Sequence, residues 1–296
     1  MRTTRQICIG VAVLIAIAGS ATLTADGAEY RASDIEESIQ MLYSDSQEER
    51  ASSCGKLSEI GADAKSAVPR LIEIVQSDPI MSVRGEAAKA LGNIGAAAAS
   101  SVPALIVFVK DKQGGLERAY AATALGNIGV QPEESVATLI EIVKQDDQPV
   151  VRQLSARALG GFGAKATSAV PVLIEAIKTG DKDLRDAACD ALAHIPATSR
   201  DVPALTSLLS DETNSARLAA ARALVGVGSE AAGAVPQLIK LLNDNSDEQV
   251  QVAAIKVLGS LGKSAKPALP SLRVAAKQPA TKEEAERAIS EIRAAQ

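Results

Sequence analysis

The chain has 296 residues, of which 47% are hydrophobic but only 2% aromatic, with no tryptophan and a single histidine. High apolar content and charges of mixed sign exclude an intrinsically disordered chain. The shortage of Phe, Tyr and Trp argues against one large globular core; abundant Ala, Leu, Ile and Val suit closely spaced helices meeting in thin layers. A formal charge of −5 excludes nucleic acid as the expected partner, because neutralised phosphates supply most of that binding energy.

Residues 1–27 read as a secretory signal peptide. Arg2 and Arg5 precede an uncharged run from Ile7 to Leu23, and small residues offer cleavage after Ala21 or after Gly27. The alternative is an uncleaved membrane anchor, although the apolar stretch is short of the roughly 20 residues of a full span. Cys8 lies early in the apolar run, which does not fit a lipoprotein signal. Cleavage after Ala21 removes Arg2 and Arg5 and takes the formal charge from −5 to −7. The expected location is periplasmic or secreted, or membrane-anchored if the N-terminal helix is retained.

From residue 33 onward the chain repeats itself. A Val-Pro-like helix start recurs at Pro69, Pro103, Ala137 (without proline), Pro171, Pro203, Pro236 and Pro270, in steps of 34, 34, 34, 32, 33 and 34 residues. Such a period identifies a solenoid, whose units bury their apolar faces only against neighbours. In the unit Val68–Gly95, Pro69 fits a first helical turn, Leu71, Ile72 and Val75 share a face, and Ser77-Asp78-Pro79 ends that helix. A second helix is expected from Met81 to Asn93, with Leu91 in its core and both Gly92 and Gly95 as C-cap glycines. Leu57, Leu125, Leu159, Leu192, Leu224 and Leu258 hold the Leu91 position. Cys54 and Cys189 stand where Ala88, Ala122, Ala156 and Ala221 stand in other units, which reads as free, buried thiols. They are four repeats apart, about 40 Å at about 10 Å per helix layer, whereas a disulfide needs Cα atoms within roughly 7 Å. Ser33 with Glu36 and Thr281 with Glu284 read as capping boxes, and Ile289 reads as the core residue of the last helix.

The pattern AVPxLIxxxxxxDxxVRxxAAxALGxIG resembles the HEAT repeat, in the HEAT-like variant named after phycobilisome lyases, across residues 33–296. The resemblance implies an all-α, right-handed α-solenoid (superhelix) of about eight HEAT-like helix pairs. It also implies an Asp/Arg ladder between adjacent repeats, here Asp45/Arg50, Asp78/Arg84, Asp111/Arg118, Asp146/Arg152, Asp181/Arg185 and Asp211/Arg217. The Asp is able to cap the second helix while accepting charge-assisted bonds from a neighbouring Arg. Gln251 replaces Arg in the seventh unit, which predicts a weaker joint there.

Chemistry is sparse. His194, the only histidine, excludes a histidine-cluster metal site and reads as a turn substitution at the Asn93 position; the sharper alternative is a lone general base. The chain resembles neither the di-iron HEAT-like deoxyhypusine hydroxylases, which use repeated His-Glu pairs, nor the HEAT-like DNA glycosylases, because Tyr30, Tyr43, Tyr120, Phe108 and Phe162 are its only aromatics. Asp146-Asp147 and Asn243-Asp244-Asn245 lack the spacing of a calcium loop. No cofactor and no metal are expected. One row escapes the repeat's dictates. Five residues after each ladder Arg stand Gly55, Lys89, Thr123, Arg157, Asp190, Arg222 and Lys256, and in HEAT-type solenoids this row lines the concave side. The expected function is a non-catalytic scaffold binding a protein or peptide, with Lys89, Arg157, Arg222 and Lys256 docking an acidic segment. The competing class is an enzyme or enzyme accessory related to bilin lyases.

Overall fold

The computed structural model describes residues 22–23, 29–30, 32–244 and 247–295. The expected signal segment and its two cleavage points fall largely outside these residues. Thr22–Leu23 and Glu29–Tyr30 form a two-residue antiparallel pair, with Thr22 opposite Tyr30; everything else regular among the described residues is helical. The chain divides into two compact units, Met1–Ile128 and Gly129–Gln296, and each is a stack of helix pairs.

The first unit holds three pairs: α1 (Ala32–Met41) with α2 (Gln47–Ile60), α3 (Val68–Ser77) with α4 (Met81–Ile94), and α5 (Val102–Lys110) with α6 (Leu116–Ile128). The second holds five: α7 (Pro132–Gln145) with α8 (Pro149–Gly161), α9 (Val170–Thr179) with α10 (Lys182–Leu192), α11 (Val202–Leu208) with α12 (Asn214–Val225), α13 (Val235–Asp244) with α14 (Glu248–Ser260), and α15 (Leu269–Ala275) with α16 (Lys282–Ala294). Sixteen helices among the described residues make the eight expected pairs.

The repeat's punctuation has a uniform physical basis. Gly61, Gly95, Gly129, Gly163, Gly228 and Gly262 all adopt positive φ, between 52° and 71°, a conformation that costs glycine little. After five of these glycines comes a seven-residue 3-10 turn, as in Gly95–Ser101, whose alanines (Ala64, Ala98, Ala166, Ala231, Ala265) are fully buried. Each turn delivers the chain to Val-Pro or Leu-Pro, where proline's missing N–H is no loss. Ala137, the position without proline, lies inside α7, which Pro132 has already begun. The apolar stretch Met81–Lys110 would be long enough to cross a membrane by composition, but it is α4, a 3-10 turn and α5, broken at Gly95.

The second helices pack directly on one another, and here the structure corrects the reading of the glycine motif. Only the later glycine of LGNIG is a cap. Gly92 lies inside α4, and a Cβ placed on it would stand 2.8 Å from Cα of Ala124 on α6. Gly160 of α8 faces Cα of Ala191 on α10 at 3.0 Å, and Gly259 of α14 faces Cα of Ala288 on α16 at 3.2 Å. These glycines let helix backbones meet without an intervening side chain.

The terminal boxes are also corrected. Ser33 is inside α1 and its hydroxyl meets only Asp34. Thr281 begins α16 without a side-chain cap and donates to the Ala275 carbonyl at 2.8 Å. The reciprocal box that does form is Thr198 with Asp201. In α16 the large apolar residue fully removed from solvent is Ile292, while Ile289 is only half-buried, because the 34-residue step carries Leu258 to 292.

Two stability contrasts follow. Gly92→Ala forces backbone apart at the α4/α6 contact and should cost about 1–3 kcal/mol. Gly55→Ala, where a Cβ meets nothing within 4 Å, should be neutral or stabilising by about 0.5–1 kcal/mol. Chemical denaturation of both variants checks this; equal losses would contradict the packing role. Leu159→Ala, at a fully buried position of a middle pair, should lower global stability by about 2–5 kcal/mol. Ile292→Ala should chiefly raise amide exchange in α16, because a terminal unit frays alone.

Candidate functional site

One edge of the stack is structural. Arginines at the second-helix position have two tasks, visible in the first unit. Arg84 Nε donates to the Val75 carbonyl at 2.8 Å, closing the C-terminal end of its own first helix, while Nη1 reaches Asp111 of the next repeat at 3.2 Å. Arg84 also lies over the Phe108 ring at 4.5 Å. Arg118, 2% exposed, donates to the Val109 carbonyl at 2.9 Å. Arg50 makes the tightest rung: Nε and Nη2 donate to the two carboxylate oxygens of Asp78 at 2.7 and 3.0 Å, with both side chains buried. Burial works against ionisation of Asp78, yet the Arg50 hydrogen bonds, the Ile80 amide and the Arg50 charge outweigh it and hold the carboxyl below its ordinary value.

In the second unit the rungs lapse. Arg152 donates to the Asp146 carbonyl at 2.7 Å and reaches Asp181 of the next repeat at 3.6 Å. Asp211, however, accepts from the amide and hydroxyl of Thr213, both at 2.9 Å, and the buried Nε of Arg185 has no partner. Arg217 turns to its own loop, donating to the Asp211 carbonyl and Asn214. Gln251 takes over the carbonyl, donating to Leu242 at 3.3 Å. The aspartates also differ from the helix caps expected. Asp78, Asp111, Asp146 and Asp211 accept from the amide two residues on (Ile80, Gln113, Gln148, Thr213), and of the expected ladder aspartates Asp181 caps a helix, through the Leu184 amide. The other four stand too far ahead of the helix for its free amides.

The candidate binding residues Lys89, Arg157, Arg222 and Lys256 are exposed on second helices. Lys89 stands 3.8 Å from Glu86 on its own helix, a pair that solvent renders weak. Three of the four cations share a geometry: Lys89, Arg157 and Lys256 stand three residues, one helical turn, before the packing glycines Gly92, Gly160 and Gly259. Arg222 precedes Val225 instead. In the second unit two of these joints open as troughs. Between α8 and α10 a trough of about 400 Å³ is lined by Arg157, Gly160, Gly161, Asp190, Ala191 and His194. Between α14 and α16 one of about 460 Å³ includes Lys256, Gly259, Glu284, Arg287 and Glu291, with Val225 of α12 at its side.

His194 and Asp190 thus flank Arg157, a grouping that sequence reasoning missed; the available signal was Gly161, which leaves bare the surface position filled by Asn93, Asn127 and Ser260. His194 Nδ1 is 2.7 Å from the Asp190 carbonyl. The cysteines offer no nucleophile. Both are free and buried, and burial pushes the Cys54 thiol up to about 12 and the Cys189 thiol up to about 11.

Paired helices tied along one edge and grooved at the joints of the second helices define an α-solenoid repeat protein. The family model for HEAT repeats matches residues 35–126, 102–193, 136–225 and 202–293, and the chain belongs to the HEAT repeat family. Among curated proteins none matches the sequence significantly. A crystal structure of an engineered protein from the Northeast Structural Genomics Consortium is 24% identical with a TM-score of 0.65, over 88% of this chain and 78% of that one. The complex of CpcE and CpcF of phycocyanin lyase from Nostoc sp. PCC7120 is 24% identical with a TM-score of 0.45, over 77% of this chain and 94% of that one.

The rungs give a stability test. Asp78→Ala leaves the buried Arg50 guanidinium unpaired and should cost about 3–5 kcal/mol, whereas Asp211→Ala removes only a loop bond and should cost about 1 kcal/mol. Because the Asp78 carboxyl is held below its ordinary value of 3.8, its contribution is present above that value and lost as pH falls below it. Acid unfolding curves should therefore be less steep for Asp78→Ala than for the parent.

Proposed function

We propose that this protein is a non-catalytic scaffold, exported from the cytoplasm, that holds a protein or peptide segment against the exposed face of its second helices. HEAT repeats generally serve as helical scaffolds, often for protein interaction. The observation that carries the reading is the set of exposed cations, Lys89, Arg157, Arg222 and Lys256, on a chain of net charge −5. Three of them stand beside helix joints where backbone is bare. The cations of the rungs, such as Arg50 and Arg84, are consumed by the fold. A segment rich in Asp and Glu complements such a face, since charge complementarity steers encounter and fixes register. Export rests on the N-terminal sequence, Arg2 and Arg5 before an apolar run and small residues at 21 and 27.

Affinity capture with the full chain and with the double reversal Arg157→Glu/Arg222→Glu tests the face. Partners recovered with the parent should be lost, or bound about tenfold more weakly, in the reversed protein; an unchanged set overturns the reading. Protein purified from its native source should show no visible absorbance band, and a bound chromophore would favour bilin chemistry instead. Fractionation with N-terminal sequencing checks export.

A further inference from the structure

We propose that the trough between α8 and α10 is a carboxylate subsite, which receives an Asp or Glu side chain of the partner segment between Arg157 and His194, over the floor of Gly160 and Gly161. The proposal rests on the acidic-segment reading above and narrows it to one joint.

The trough arises from side chains that its walls lack. At the α2/α4 joint the corresponding positions are filled: Asn93 of α4 donates to the Ser58 hydroxyl of α2 at 2.8 Å. At the α8/α10 joint Gly160 stands in the place of Ser58, and His194 in that of Asn93. With no hydroxyl to meet, His194 directs Nδ1 to the Asp190 carbonyl, and its Nε2 makes no hydrogen bond among the described residues. Gly161 removes one more side chain from the surface. Arg157 likewise makes no ion pair or hydrogen bond among the described residues, even with Asp190 on the opposite rim. The Arg157 guanidinium thus borders a bare backbone floor with its donors unspent, and Nε2 of His194, whose Nδ1 proton is given to the Asp190 carbonyl, joins it as a donor when the imidazole is protonated.

At the α14/α16 joint the chain fills the equivalent notch itself. Lys256 precedes Gly259 as Arg157 precedes Gly160, and the carboxylate of Glu291 lies where a Cβ on Gly259 would stand, with Arg287 in the same trough. Ala191 meets Gly160 as Ala288 meets Gly259, so the residue that stands where Glu291 does, three positions further on, is His194. The α8/α10 joint therefore keeps the cation and the glycine but lacks the carboxylate, and a partner's carboxylate completes it. Arg suits this role because its planar fork matches a carboxylate. Asp190 disfavours a second negative charge at its rim, so one carboxylate enters per trough.

Fluorescence anisotropy with a labelled octaglutamate peptide, against octaglutamine, tests the subsite on the full chain. The parent should bind octaglutamate more tightly. Gly161→Asn, which refills the trough without altering charge, His194→Ala, and His194→Glu, which supplies the carboxylate internally, should each weaken binding about five- to tenfold. Thermal melts confirm folding; should His194→Glu not fold, the other two variants decide. If octaglutamate binds, and Arg222→Gln and Lys256→Gln weaken it while these variants do not, the acidic-face reading stands and the subsite is overturned. If the parent does not distinguish octaglutamate from octaglutamine, both are overturned.

Discussion

The contact on which the remainder of each unit depends is the meeting of one second helix with the next through glycine and alanine. A solenoid repeat has no core of its own and must bury its face on its neighbours. Where Gly92 meets Ala124, Gly160 meets Ala191 and Gly259 meets Ala288, helix backbones approach to van der Waals distance. So close an approach leaves little space between layers, and this is why alanines dominate the second helices and a composition of 2% aromatics suffices. The same contact shapes the outer surface. A joint made of backbone leaves a notch rather than a ridge, and side chains one turn earlier on the helix stand at its edge.

The arginine edge solves a different problem. A short first helix ends with carbonyls that its own turns cannot satisfy, and a cation placed there meets both the free acceptors and the negative end of the helix dipole. Arg84 and Arg118 do this through Nε. Arg84, Arg50 and Arg152 also reach the following repeat's aspartate, so one side chain closes a helix and joins two layers. Gln251 shows that an amide serves the carbonyl in place of a guanidinium.

Much of this was legible in the sequence because it repeats. The period, the pairing of helices, the Pro starts, the positive-φ glycines such as Gly95 and the burial of Cys54 and Cys189 in alanine positions follow from registering one unit on the next. Features set by a neighbouring layer were less legible. Gly92 and Gly95 look alike on paper, yet one answers to a backbone dihedral and the other to Ala124 in the next repeat. The aspartates resembled helix caps until the loop length placed them two residues before an amide of the turn. Ser33 and Thr281 matched a capping pattern, but one falls within its helix and the other meets a carbonyl of the preceding helix. At the site, Arg157 was identifiable as an exposed cation. Its association with His194 and Asp190 depends on how α8 and α10 register, which spacing alone does not specify.

The two devices, glycine contact and arginine rung, are not distributed evenly in the second unit, and their distribution bears on binding. α10 is held to α8 by both, through Gly160 with Ala191 and Arg152 with Asp181. Toward α12 it has neither: Arg185 finds no carboxylate, and Ala193 stands at the packing-glycine position. α10 also belongs to the repeat with the shortest step, and it ends without a positive-φ glycine, in Ile195-Pro196. Local stability in a repeat array is a sum of neighbour terms, so the side of α10 facing α12 contributes least. A ligand that binds only the folded joint adds its binding free energy to the stability of that joint. A carboxylate seated between Arg157 and His194 spans α8 and α10, and so reinforces the helix whose other neighbour holds it most loosely.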